Sequence, residues 1–118
     1  MSDLLFDVNL QQLPDEYLTG AWRVADKVLN RTDPSTPLAQ ATFVHLQANT
    51  LHLEGGQQLP GSWSVQRDEM LNRPYIEIEV AQEKTRALIT RLRRSADGLQ
   101  SQLNLYFLSG MEMQLTQP

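Results

Sequence analysis

The chain has no cysteine. That excludes a disulfide scaffold, thiolate metal sites and a cysteine nucleophile. No apolar run approaches the ~18 residues of a membrane-spanning helix. The opening Met1-Ser2-Asp3-Leu4-Leu5-Phe6-Asp7 lacks the basic stretch that precedes the apolar core of a secretory signal. Basic excess is missing too. The net charge is −4, and a mildly acidic chain lacks the field that attracts phosphate, so nucleic acid is not an expected partner. No serine sits in a Gly-x-Ser-x-Gly elbow and no glycine-rich run opens a helix. The carboxylate pairs Asp15-Glu16 and Asp68-Glu69 fall in turns, where neighbours in sequence do not face each other. The expectation is a protein that is not an enzyme, with no cofactor, no membrane span and a cytoplasmic location of bacterial type.

What the chain does have is alternation. At 118 residues and 41% hydrophobic content it is the size of one domain, residues 1–118, with residues 1–12 a mixed arm. Pro14 suits the start of a short helical turn. Gly20 then allows a sharp bend and Trp22 offers a large apolar plug. From there the hydrophobic period is two. Eight strands are expected: Ala21 to Leu29, Thr42 to Gln47, Thr50 to Glu54, Gly61 to Arg67, Pro74 to Val80, Arg86 to Arg94, Ser101 to Phe107 and Met111 to Thr116. Each carries one apolar file, such as Ile76, Ile78 and Val80 against Glu77 and Glu79, so one face is buried and one is wet. In the first strand the file is Trp22, Val24 and Val28, with Asp26 interrupting it. In the sixth it is Leu88 and Leu92. A helix over Glu83 to Arg94 has supporting spacing in Ala87, Leu88, Arg91 and Leu92, but Asp97-Gly98 stands where a hairpin would turn.

The connectors fit a meander. Ala48-Asn49, Gly55-Gly56, Asp97-Gly98 and Ser109-Gly110 tolerate positive φ, and Pro74 suits the first residue of a strand. The one long connection runs from Asn30 to Gln40, with Pro34 and Pro37. Eight twisted strands joined by short hairpins remove their edges by closing. The expected fold is all-β, an eight-stranded antiparallel up-and-down barrel with a short N-terminal helical turn; a two-sheet sandwich fits the same files nearly as well.

The helical turn, Gly20-x-Trp22 opening the first strand, the eight-stranded meander and the long first loop together resemble the lipocalin and calycin group. The Thr-Asp-Tyr turn of that group and an arginine on the last strand are absent. The resemblance therefore implies a small, reduced, intracellular-type lipocalin-like barrel, with the Asn30–Gln40 loop over its mouth.

The candidate ligand-binding residues are Trp22, Trp63, Phe43, Pro34, Pro37, Phe107 and Met113. The aromatics and Met113 would line the inside, and the two prolines stiffen the loop. An eight-stranded barrel is just wide enough to be filled by side chains or to hold one small ligand, and files of Leu, Ile, Val and Met favour filling. If Ala48-Asn49 is a two-residue loop, His45 faces His52, with Glu54 near; a stable metal site needs more ligands, so an exposed cross-strand pair is the expected reading. Lys84, Arg86, Arg91, Arg93 and Arg94 are expected on a solvated outer face beside Glu77 and Glu79, with Arg91 over Tyr75. Three functions follow. The first is non-catalytic binding of a small apolar or amphiphilic ligand at the mouth. The second is an interaction module whose filled barrel docks a protein partner or its own copy as a homodimer. The third, drawn from calycin-like bacterial proteins that handle bilins, is a chromophore chaperone or lyase.

Overall fold

The computed structural model describes residues 4–55 and 58–117. Gly56 of the Gly55-Gly56 turn lies outside the described residues. Nine strands are present among the described residues: β1 (Leu5–Asp7), β2 (Gly20–Val28), β3 (Phe43–Gln47), β4 (Thr50–Glu54), β5 (Leu59–Arg67), β6 (Pro74–Val80), β7 (Glu83–Ser95), β8 (Ser101–Phe107) and β9 (Glu112–Gln117). A single turn of helix, α1 (Pro37–Gln40), lies in the long loop. Strands β2 to β9 pair in sequence order, all antiparallel, and β9 pairs back to β2. The eight therefore close into an up-and-down barrel. Closure pairs every strand on both sides, which removes the edge that an open sheet would leave. The stretch 83–95 is strand, not helix.

The arm has more structure than its sequence suggests. β1 adds to the far half of β7, with Leu5 opposite Ser95 and Asp7 opposite Arg93. Its other segments are 3-10 turns, Leu10–Gln12 and Asp15–Tyr17.

The inward files follow the alternation almost everywhere. Val44, Leu46, Leu51, Leu53, Trp63, Ile76, Ile78, Val80, Leu103, Leu105, Phe107, Met113 and Leu115 are buried. Fully burying each such side chain is worth about 1.5–3 kcal/mol. Gly61 is needed for a different reason from a turn glycine: a Cβ there would meet the Glu79 carbonyl of β6 and the Val80 side chain at 2.7 Å. Strand β5 thus lies against β6 at a distance only glycine permits.

Trp22 stops one end. It is fully buried and its indole Nε1 donates to the Leu18 carbonyl at 2.8 Å. Leu13 and Leu18, also buried, pack there from the 3-10 segment. Gly20, at φ 119°, makes the bend into β2.

Two bulges correct the sequence reading. In β2, Val24 faces Leu115 and Asp26 faces Gln114, so Ala25 is the extra residue. Past it the facing is reversed: Asp26 and Val28 point out, and Lys27 takes the inward position opposite buried Met113. Asp26 does not break the inner file; the file shifts by one residue before reaching it. In β7 a bulge lies between Ile89 and Arg91. Before it the inward residues are Ala87 and Ile89, and Leu88 is on the outer face opposite Tyr75 and Tyr106. Leu92 is inward as expected.

Candidate ligand site at the barrel mouth

The end opposite Trp22 is roofed by the loop between β2 and β3. Its backbone is set by Asp33, whose carboxylate accepts from the Ser35 N–H at 2.9 Å and the Ser35 hydroxyl at 2.7 Å. These bonds hold the Asp33 carboxyl below the usual aspartate range. Thr36 follows as the helix N-cap, and Pro37 occupies the first turn of α1, where its missing N–H costs nothing. The roof is fastened to the rim on one side. Asn30 Nδ2 donates to the Gly110 carbonyl at 2.6 Å, and the hydroxyls of Thr32 and Ser109 share a hydrogen bond of 2.7 Å.

It is fastened on the other side by Lys27. The ammonium, turned into the mouth by the Ala25 bulge, donates to the carbonyls of Ala39 and Ala41, the latter at 3.0 Å. Carbonyls at a helix end have no partner within the helix, and a lysine satisfies them well. Burial pushes the Lys27 pKa down. None of the described carboxylates forms an ion pair with it.

Under the roof is a recess of about 100 Å³. Its apolar lining includes Pro37, Leu38, Ile78, Val80, Phe107 and Met111, and its polar lining is Thr32, Thr36, Thr85, Ser109 and Glu83. Below it Leu38 points into the barrel, where only about 10 Å³ remains empty between the inward files. The interior is therefore filled, as the residue types on the files lead one to expect.

The sequence-derived site residues separate. Pro37 and Phe107 line the recess, and Met113 lines the filled interior beneath it. Trp22 is at the opposite end. Trp63 is buried near the β3–β4 turn, donating to the Gln47 carbonyl at 2.7 Å. Pro34 is exposed at the loop tip. Phe43 is a correction: it is on the outer face, 39% exposed, because it shares parity with His45 and not with Val44 and Leu46. Lys27 and Leu38 were missed. Reading Lys27 as inward needs the bulge, and the break at Asp26 is the only trace the bulge leaves in the sequence.

The other candidates have ordinary partners. His45 faces His52 in the expected register, with ring centroids 6.1 Å apart, and His45 Nε2 bonds the Glu54 carboxylate at 2.9 Å. Among the described residues no three or more His, Asp or Glu side chains gather in a metal-binding group. The basic cluster is matched by acids: Lys84 with Glu79 at 4.0 Å, Arg86 with Glu77 at 3.8 Å, and Arg91 with Asp7 at 2.7 Å. It is Arg86, not Arg91, that lies over Tyr75, 5.1 Å from the ring centroid. Arg94 covers the Tyr17 ring at 3.8 Å. No helix among the described residues is long and apolar enough to cross a membrane. No family model, no curated protein and no solved structure matches this chain, so its barrel and roofed mouth are the basis for any functional reading.

Proposed function

We propose that this chain is a cytoplasmic, lipocalin-like binder that holds a small amphiphilic ligand at the barrel mouth, beneath α1, without catalysing a reaction. The observation that supports this is the recess of about 100 Å³, with an apolar floor, a hydroxyl-bearing rim and a roof held by a few polar contacts. Ligand pockets combine an apolar lining with a few orienting polar groups in this way. The filled interior limits the guest. Drug-sized ligands occupy about 300–1,000 Å³, whereas an apolar cavity of about 150 Å³ holds benzene. The ligand is thus a short chain or a single ring. Titration of the labelled protein with hexan-1-ol, followed by NMR, should give saturable shifts at Thr85, Phe107, Ser109 and Met111. A flat response at those amides removes the proposal.

A second reading rests on the outer face. Val28, Tyr106, Leu88 and Tyr75 stand in one row across β2, β8, β7 and β6, with Glu112 of β9 between the first two. Such a row suits a protein partner or a second copy. Native mass spectrometry separates the two: added small-molecule mass supports the ligand, and a dimer abolished by Tyr106→Ser supports the interface. Visible absorption by protein from a pigmented host would instead favour the bilin reading.

A further inference from the structure

We infer that the recess takes a short-chain primary alkylamine, with its ammonium at the rim against Glu83 and its chain on the apolar floor. This rests on the ligand-binding reading above and adds the sign of the ligand's charge, the way round it lies and the residue that selects it.

The inner file of β7 is graded towards the mouth. Ala87 is fully buried, Thr85 is half-buried, and Glu83, of the same parity, is exposed at the first position of the strand. The alternate residues Lys84 and Arg86 take the outer face, where Glu79 and Glu77 lie 4.0 and 3.8 Å away. Glu83 has no such neighbour: none of the ion pairs among the described residues includes it. It is also the one ionisable side chain among the described residues that line the recess. A recess whose single charge is negative favours a cation and disfavours an anion. Lys27 does not oppose this, because its ammonium is held at the Ala39 and Ala41 carbonyls, outside the lining.

The polar groups beside Glu83 suit a primary ammonium, which has three N–H donors and no acceptor. Thr36 gives its hydroxyl hydrogen to the Asp33 carbonyl at 3.0 Å, so its oxygen is left to accept. Thr85 brings a further hydroxyl to the lining. A quaternary ammonium has no N–H to donate and is recognised by cages of aromatic rings. The lining has one such ring, Phe107.

The layout also sets the orientation. Ile78, Val80, Phe107 and Met111, which form the floor, are each at most 5% exposed, whereas Glu83 is open to solvent. The hydrocarbon end therefore goes in first and the charge stays at the opening. A lysine on another protein would arrive the other way round, ammonium leading and backbone at the rim. The site thus fits a free amine. Its volume of about 100 Å³ fits a short one, since about 150 Å³ holds benzene.

The test titrates the full chain with hexylamine, hexan-1-ol, hexanoate and Nα-acetyl-lysine amide, followed by NMR at neutral pH and low salt. Hexylamine should bind about two- to fivefold more tightly than hexan-1-ol, the scale of one exposed ion pair. Hexanoate should bind more weakly than the alcohol, and the lysine amide should leave the Thr85, Phe107, Ser109 and Met111 amides unshifted. The amine alone should move the Glu83 side-chain carboxyl resonance. Its advantage over the alcohol should vanish in 1 M salt, where the screening length falls to about 3 Å, and in Glu83→Gln. Should Glu83→Gln fail to fold, the salt dependence and the Glu83 resonance of the native protein decide the matter. If the alcohol, the acid or the lysine amide binds as tightly as hexylamine, or the preference survives Glu83→Gln or high salt, the inference is overturned while the ligand-binding reading stands. If no ligand shifts the recess amides, both fall.

Discussion

Trp22 shows how much one side chain settles. Its ring closes one end of the barrel, and its N–H ties β2 to the 3-10 turn through the Leu18 carbonyl. Trp22→Phe keeps most of the ring and deletes the donor. The buried carbonyl then loses its partner, at about 1–3 kcal/mol; urea unfolding followed by the remaining Trp63 should read that loss. The surface aspartates act in the other direction, through pH. Asp68 is held low by the Leu71 N–H, and Asp97 by the Ser95 hydroxyl. Their folded pKa values lie below the unfolded value of about 3.9. Their contribution is complete above that value and is lost as pH falls through the lower folded pKa. Urea midpoints should therefore drop in this acid range, and Asp97→Asn should flatten the drop. Parity alone could have placed Phe43 outside, since it alternates with the buried Val44 and Leu46. Lys27 was not open to that reasoning, because alternation assigns a face only while the ladder stays regular.

At the level of elements, the β6–β7 hairpin has the wrong residues for its shape. Ala81 and Gln82 both have positive φ, 54° and 67°, in a two-residue turn. That turn favours Asn-Gly, and a residue with a Cβ pays about 1–2 kcal/mol for the left-handed region. Ala81→Asn with Gln82→Gly should raise stability by about 1–2 kcal/mol in chemical denaturation, with unchanged strand register by NMR. The same pair explains part of the sequence reading: without a turn signal between Val80 and Glu83, β7 was expected to begin only at Arg86. The hairpins that do carry Asn or Gly at their turns, Ala48-Asn49 and Asp97-Gly98, were legible, including the His45–His52 register. β1 was not, since three residues have too short a pattern to separate strand from coil. α1 was hidden for the same reason.

For the molecule as a whole, closure was legible because eight short files joined by tight connectors have few other ways to satisfy their edges. The content of the barrel was legible in kind, from the Leu, Ile, Val and Met on its inner face. The size of the mouth was not, because it depends on how one helical turn seats Leu38 and on a lysine that only a bulge brings inside. The pocket among the inward files holds only about 10 Å³, and that has a consequence for compression. Hydrostatic pressure unfolds proteins largely by eliminating voids, with volume changes of about −20 to −100 mL/mol. This chain should lie at the small end of that range and resist squeezing. High-pressure fluorescence of its two indoles measures that directly, and Ile76→Ala, by hollowing the interior, should make the molecule yield at lower pressure.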